Sequence, residues 1–574
     1  MTNTIDEYLK SKSSLSKAKA SLLIYARNKA VILFVGIMLM AFLMRIWGID
    51  FGLPYRYHID ETFYVALSLK LPSNGFELPV RTHGPNLFFL LLLAEDVLYF
   101  LFKFLTGQVS SIAAFEQLYR SDPTNFVILA RALSAIVGTL TLIPVYLLGK
   151  KLYRPIVGIL AAILLGFSFQ HIRESHYGTP DIFVGFLVTI SLLSSVNILK
   201  KGRLQDYLLA GIFAGLATGT KFTNVLVLFP LMIAHIYNVW ADHSQRNWFK
   251  DIVLSQKLWA SLISLLVSFA IAYPNLLFRP GKFLEYVDFL IDVGKNGFLT
   301  QFIIEPAPAW IYYPFSLSWG LGWLLIGALI IAIIVALFRR KPDELLLLGF
   351  IFIYLVVLFR SPYYASRYLI PLLPTLYVFS ANGIYWVADR LAKSLNARRT
   401  ILMIVIAFFS LMQPISSALR HNYLLKQTDT RTLAKEWIED NIPESATIAV
   451  DWRHYAPPLQ TQNENSAETV PKYNLVIANG IGLPEQTVDE YYVDGVRFVV
   501  VSSFIDGLPL AKPADLESRK SFHDELDSQD LIYEIRPYSN TAPRFIFDQL
   551  FGPVISLWKI ERPGPTLQVY RLSP

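Results

Sequence analysis

No cysteine occurs in the 574 residues, which excludes a disulfide framework, a thiolate nucleophile and any cysteine-based metal site. Charge is also scarce. Only 17% of residues are Asp, Glu, Lys or Arg, against 54% hydrophobic, and the mean hydropathy is +0.43. So little charge excludes a soluble protein of this size and predicts a polytopic α-helical membrane protein. The net charge of +7 is split into short Lys/Arg clusters between apolar runs. Such clusters mark membrane topology, and no basic face for nucleic acid is formed. Internal repeats are lacking, and low complexity is confined to the Ser/Lys-rich N terminus.

Residues 1–29 carry Lys10, Lys12, Lys17, Lys19, Arg27 and Lys29 against Asp6 and Glu7, the composition of a cytoplasmic tail. The apolar run 30–48 is too long for a signal peptide and has no small-residue cleavage site before Trp47-Gly48. It reads as an uncleaved anchor, with Arg45 snorkelling to the interface. Further apolar runs at 126–148, 155–171, 181–199, 207–219, 222–240, 258–278, 318–338, 344–359, 367–387 and 400–418 bring the expected spans to about eleven. Basic clusters at Lys150-Lys151, Lys200-Lys201, Arg246 to Lys257, Arg339-Arg340-Lys341 and Arg390 to Arg399 fall in every second loop. Those loops are assigned to the cytoplasm.

The run 86–105 breaks this alternation if it crosses. It holds Glu95 and Asp96 at its centre and Lys103 near its end, and paired acids in mid-bilayer are expensive. It is therefore placed in the outer interface or as a re-entrant helix, which makes 49–125 one long outer loop within a transmembrane region of 30–420. A true span there inverts the later topology and strands five basic clusters outside. Residues 421–574 change character: Asp429 caps a helix over 430–441, Pro443 follows it, and strand-like runs occur at 447–450, 475–478, 496–501 and 567–570. These predict a soluble α/β domain on the extracytoplasmic side.

The outer side then collects the ionisable groups: Asp60 and Glu61, Arg81 and His83, the stretch Arg173 to Asp181 with His176 and Tyr177, Lys221, Arg360 and Arg367. Moving a sugar from a lipid phosphate to a hydroxyl needs a carboxylate to accept the acceptor's proton and cations to hold the departing phosphate. Each residue also has a plainer reading. Asp60 and Glu61 suit a solvated loop, Asp181 a helix N-terminus, Lys221 and Arg367 an interface, and His83 and His176 hydrogen-bonded structural roles. Trp310, Tyr312 and Tyr313 suit either a stacked sugar or lipid or an aromatic belt. Asp60, Glu61, His83 and His176 are metal-ligating residue types whose spacing matches no dedicated site, so no cofactor is assigned and a divalent metal is left open.

Four pieces in order, Asp60-Glu61, Tyr177-Gly178-Thr179-Pro180-Asp181, Gly219-Thr220-Lys221 and Ala307 to Pro314, resemble the C-type membrane glycosyltransferases over residues 30–390. The branch is that of the protein O-mannosyltransferases and the aminoarabinose transferases. This resemblance implies inverting transfer from a polyprenyl-phosphate sugar to an outward-facing hydroxyl of protein, lipid or glycan, at the outer face of the cell membrane. It assigns Asp60 as base, Asp181 as the second acid and Lys221 to phosphate. Glu61, Arg367, His83, His176, Tyr177, Trp310 and Tyr313 join these as candidate substrate-binding residues. The short apolar step that usually precedes the second acid is Thr179-Pro180 here, and the repeat-containing domain of the eukaryotic mannosyltransferases has no counterpart. Two other functions share parts of the pattern: a lipid-linked sugar flippase, expected to bury mid-membrane charge and show paired halves, and a polysaccharide polymerase or ligase.

Overall fold

The computed structural model describes residues 31–75, 86–241, 248–297, 301–303, 307–452, 454–459 and 472–574. Helix α1 (Val31–Ile46) leads into a loop region of three helices, α2 (Ile59–Lys70), α3 (Leu87–Leu105) and α4 (Ile112–Ser121). Then follow α5 (Thr124–Leu140) and α6 (Leu142–Leu152), α7 (Pro155–Gly166), the short α8 (Phe169–Glu174), α9 (Pro180–Lys201) and α10 (Leu204–Thr220). A 3-10 turn, Phe222–Val227, opens α11 (Leu228–Ala241); α12 (Trp248–Val253), α13 (Gln256–Ala272), α14 (Asn275–Phe278) and α15 (Pro280–Asn296) come next. The last membrane helices are α16 (Ala309–Gly320), α17 (Trp323–Arg339), α18 (Pro342–Arg360), α19 (Leu373–Ser394) and α20 (Arg399–Leu425).

Among the described residues six helical stretches are long and apolar enough to cross a membrane, or seven if α16 and α17, bent by 116°, form one broken span. Helix α7 has twelve residues and α10 seventeen, short of the roughly 20 that a straight crossing needs. The run expected at 155–171 divides into α7 and α8 at Phe167. Helix α3, with Glu95, Asp96 and Lys103, is not among the qualifying spans. It packs instead with α2 and α5 through Tyr64, Phe88, Phe89 and Phe126, and Asp96 Oδ2 accepts a hydrogen bond of 3.0 Å from Ser68 Oγ.

Arg45 does not snorkel. It is fully buried because the α7–α8 turn covers that end of α1 and supplies acceptors. Its Nη1 donates to Ala41 O (2.7 Å) and Gly166 O (2.9 Å), and its Nη2 lies 2.9 Å from His171 Nδ1. These contacts offset part of the cost of burying the guanidinium, whose Nε has no hydrogen-bond partner among the described residues.

Small residues set the close contact between α10 and α13. A Cβ at Gly211 would come within 2.1 Å of Ser261 O, and one at Gly219 within 2.5 Å of the Ala272 Cβ. The Gly211, Gly215, Gly219 row lets α10 lie backbone to backbone on α13, and this fixes where Lys221, the residue capping its C-terminal end, emerges. Helix α19 runs through the centre of the bundle, buried on nearly every residue from Leu373 to Ile384.

In the tail, α21 (Thr430–Asn441) starts at the expected cap, with Asp429 Oδ1 accepting from Arg431 N at 2.9 Å. Strands β1 (Thr447–Val450), β2 (Asn474–Ile477), β3 (Phe498–Ser502), β4 (Asp530–Ile535) and β5 (Leu567–Arg571) form one sheet in the order β2-β1-β3-β5-β4. The first three are parallel, and β5 and β4 are added antiparallel. Helices α22 (Val488–Val493), α23 (Ser503–Asp506) and α24 (Pro513–Leu526) complete it. Four strands match the expected runs. The sequence reading missed β4, an edge strand whose Asp530 and Glu534 interrupt its apolar pattern, as edge strands commonly do.

Candidate active site

Two acid–base pairs meet around a pair of adjacent residues. Helix α2 begins at His58, whose Nδ1 accepts from Glu61 N at 3.3 Å, so Asp60 and Glu61 sit in its first turn. Asp181 occupies the first turn of α9 behind Pro180, where an acid complements the helix dipole. Lys221 caps the end of α10. Arg367 lies in a single 3-10 turn, Ser366–Leu369, between α18 and α19. Arg367 Nη1 pairs with Asp60 Oδ2, and Lys221 Nζ pairs with Asp181 Oδ1 at 2.7 Å. Tyr368, next to Arg367, joins the two: Lys221 Nζ lies 4.4 Å and the Arg367 guanidinium 5.7 Å from its ring centre.

The three carboxylates differ in access. Asp60 is 31% exposed, Asp181 7% and Glu61 not at all. Burial works against the charge of Arg367, yet the neighbouring Asp60, Tyr368, Tyr363 and Asp181 hold its pKa well above the ordinary value. The guanidinium is a fixed cation that feels both acids.

Glu61, expected beside substrate, is instead locked into the protein. Arg131 Nε and Nη2 reach its two oxygens at 2.7 and 2.8 Å, and Gly178 N donates to Oε1 at 2.8 Å. Arg131 also donates to Ile49 O and Phe51 O, at 2.6 and 3.0 Å, and stacks on the Phe51 ring. The bidentate pair therefore staples α2, α5 and the loop before α9, with no oxygen turned to solvent.

Tyr177 is buried behind this staple, its ring 4.3 Å from that of His58. His176 is buried with Nδ1 2.9 Å from Ile172 O and Nε2 3.1 Å from Trp47 O; burial lowers its pKa to about 4. Both residues have structural surroundings, as does Tyr313, buried among Tyr312, Phe359 and Tyr364. Trp310, 60% exposed at the start of α16, is placed like an interfacial aromatic. His83 lies outside the described residues. Among the described residues no three His, Asp or Glu side chains converge as a metal site.

The sequence reading missed the tail's part. Ser366 N and Oγ donate to Asp548 Oδ1 at 3.1 and 2.7 Å, while Gln170 Nε2 donates to Ser366 O at 2.6 Å. Phe551 places its ring 4.3 Å from the Arg367 guanidinium and 5.5 Å from His58. Arg173, paired with Glu174, donates to Pro553 O at 3.2 Å and Asp548 O at 2.9 Å. The segment from Phe547 to Pro553 thus backs the arginine turn. No local pattern signals it, since Asp548 reaches a partner 182 residues away.

Residues 124–278 match the family model described as dolichyl-phosphate-mannose-protein mannosyltransferase. No curated protein sequence matches the chain. Among solved structures, the archaeal oligosaccharyltransferase AglB from Archaeoglobus fulgidus, in complex with an inhibitory peptide and a dolichol-phosphate, overlays with a TM-score of 0.50 at 12% identity. The overlay covers 94% of this chain and 88% of that one. ArnT from Cupriavidus metallidurans, bound to undecaprenyl phosphate, gives 0.46 at 11% identity over 95% and 98% of the two chains. The first of these identifies a shared fold.

Proposed function

We propose that the chain is a membrane glycosyltransferase of the C type that moves a sugar from a polyprenyl-phosphate carrier to a hydroxyl acceptor on the extracytoplasmic side, with Asp60 as general base. The family-model match over residues 124–278 and the shared fold support this reading. The observation that carries this reading is the joined set Asp60, Arg367, Tyr368, Lys221 and Asp181: an accessible carboxylate beside two fixed cations.

In the reaction, the acceptor oxygen attacks the anomeric carbon from the side opposite the phosphate, its proton passes to Asp60, and the bond from that carbon to the phosphate oxygen breaks. The electron pair leaves with the lipid phosphate, inverting the anomeric centre. Arg367 and Lys221 stabilise the charge that develops on that phosphate. Each cation rests on a carboxylate before donor arrives, so phosphate binding to Arg367 releases Asp60 to take up the proton. Asp181 keeps Lys221 in place. Asp60 and not Glu61 fills the base role because only Asp60 is reachable by an acceptor.

The test is transfer of labelled lipid-linked sugar by Asp60→Asn. The variant should insert and fold like the parent and transfer nothing above a small residue. Turnover at the parental rate would remove Asp60 as base.

A further inference from the structure

We propose a second anion site, for a phosphate group, in a cavity at the other end of α19, away from Arg367. The cavity measures about 500 Å³ and is formed by the ends of three hairpins, α6–α7, α17–α18 and α19–α20, a size suited to a phosphorylated headgroup. Five basic side chains line it, Arg154, Arg339, Lys341, Lys393 and Arg399, against one acid, Asp389.

Asp389 is already engaged by Lys393 (2.8 Å) and Arg399 (2.9 Å). The buried Glu344 beside the cavity lies 3.6 Å from Arg339. Two guanidiniums share one aromatic ring: Arg154 lies 4.7 Å and Arg399 5.0 Å from the centre of Tyr385, and Arg154 Nη1 donates to the Tyr385 hydroxyl at 2.6 Å. Both guanidiniums line the cavity, so an anion held there is attracted to each of them. Asn382, 3% exposed, also lines the cavity, and its amide nitrogen has no hydrogen-bond partner among the described residues. The lining therefore offers many N–H donors and little acceptor capacity, which fits phosphate oxygens.

The donors come from separate segments: the α6–α7 turn, the α17–α18 turn, the end of α19 and the start of α20. An exposed apolar surface adjoins them, since Leu337 and Phe338 directly precede Arg339. A phosphate borne on a lipid can lay its acyl chains there, as basic pockets between membrane helices do for anionic headgroups.

The test needs no transfer activity. Full-length protein is placed in phosphatidylcholine nanodiscs with and without phosphatidylglycerol, and in detergent with and without inorganic phosphate. Thermal midpoints and lipids retained in native mass spectrometry are read. Phosphatidylglycerol should raise the midpoint and leave one bound lipid. In the variant Arg339→Gln/Lys341→Gln that occupancy should fall about tenfold or more, while Arg398→Gln, outside the lining, keeps it. A rise with inorganic phosphate that the double variant abolishes, without one from the lipid, supports the site and makes its ligand free phosphate. No rise with either probe, or an equal rise in the double variant, overturns the proposal. Lys393→Gln, a largely exposed position, gives the same reading if the double variant does not fold.

Discussion

Lys221 Nζ lies 2.7 Å from Asp181 Oδ1 across a gap of 40 residues, joining the C-terminal end of α10 to the first turn of α9. Asp181 is nearly buried, so the lysine has two tasks, neutralising that carboxylate and presenting charge toward Tyr368. These separate in a double variant. Lys221→Ala should raise the donor KM and lower the thermal midpoint, because it leaves a buried charge unpaired at a cost of about 3 kcal/mol. Adding Asp181→Asn should restore the midpoint but not the donor KM, as read by melting curves and donor titration.

Asp60→Asn should lower kcat by on the order of 10²–10⁴-fold, the range of a general base, with an unchanged melting curve. Asp60 is partly exposed and its replacement keeps an oxygen for Arg367. Single-turnover transfer with labelled donor measures it.

Glu61→Ala should do the opposite. It strands Arg131 without its carboxylate in a fully buried setting, which costs about 3–5 kcal/mol. Yield and thermal midpoint should drop sharply, and the protein that does fold should keep the parental donor KM.

Asp548→Ala tests the tail. Without Asp548 the backbone N–H and hydroxyl of Ser366 lose their acceptor, and the turn bearing Arg367 loosens. Transfer should fall about tenfold or more, through kcat as well as KM. Asp548→Asn, which keeps one carbonyl oxygen for Ser366, should recover part of it.

A pH effect is expected from Asp451 in the tail. Burial, with Asp506 nearby, raises its pKa to about 7, although Ser502 N and Leu483 N donate to it at 2.9 and 3.2 Å. The native state then binds more protons than the unfolded chain between pH of about 4, the ordinary carboxylate value, and about 7. Tail stability is greatest at the acidic end of that window and declines as pH rises through it. Asp451→Asn should flatten that slope, followed through the fluorescence of Trp437, which stacks on Tyr533 at 4.4 Å.

Much of the fold was legible in the sequence because its signals are local. Apolar runs gave the helices, Asp429 and Pro443 bracket α21, and short β-branched runs gave four strands. The paired residues Asp60, Asp181, Lys221 and Arg367 were legible because charge is rare in this chain and each stands at the edge of an apolar run. Which acid of Asp60-Glu61 faces the site was not, since neighbours on a helix differ by about 100° and only the position of Arg131 decides which one turns inward. Asp548 and Phe551 were illegible for a similar reason. Their role rests on a meeting between the tail and the turn before α19, and no spacing rule reports contacts across 182 residues.

Arg173 gives its hydrogen bonds to the carbonyls of Asp548 and Pro553, and Ser366 hangs from the side chain of that same Asp548. A shortened chain ending before residue 546 would still insert its apolar helices, yet Arg173 would lose two carbonyl acceptors where a socket had been, and the turn bearing Arg367 would have nothing behind it. The C-terminal lobe is therefore no detachable accessory: the membrane portion borrows its rear wall from the far end of the polypeptide.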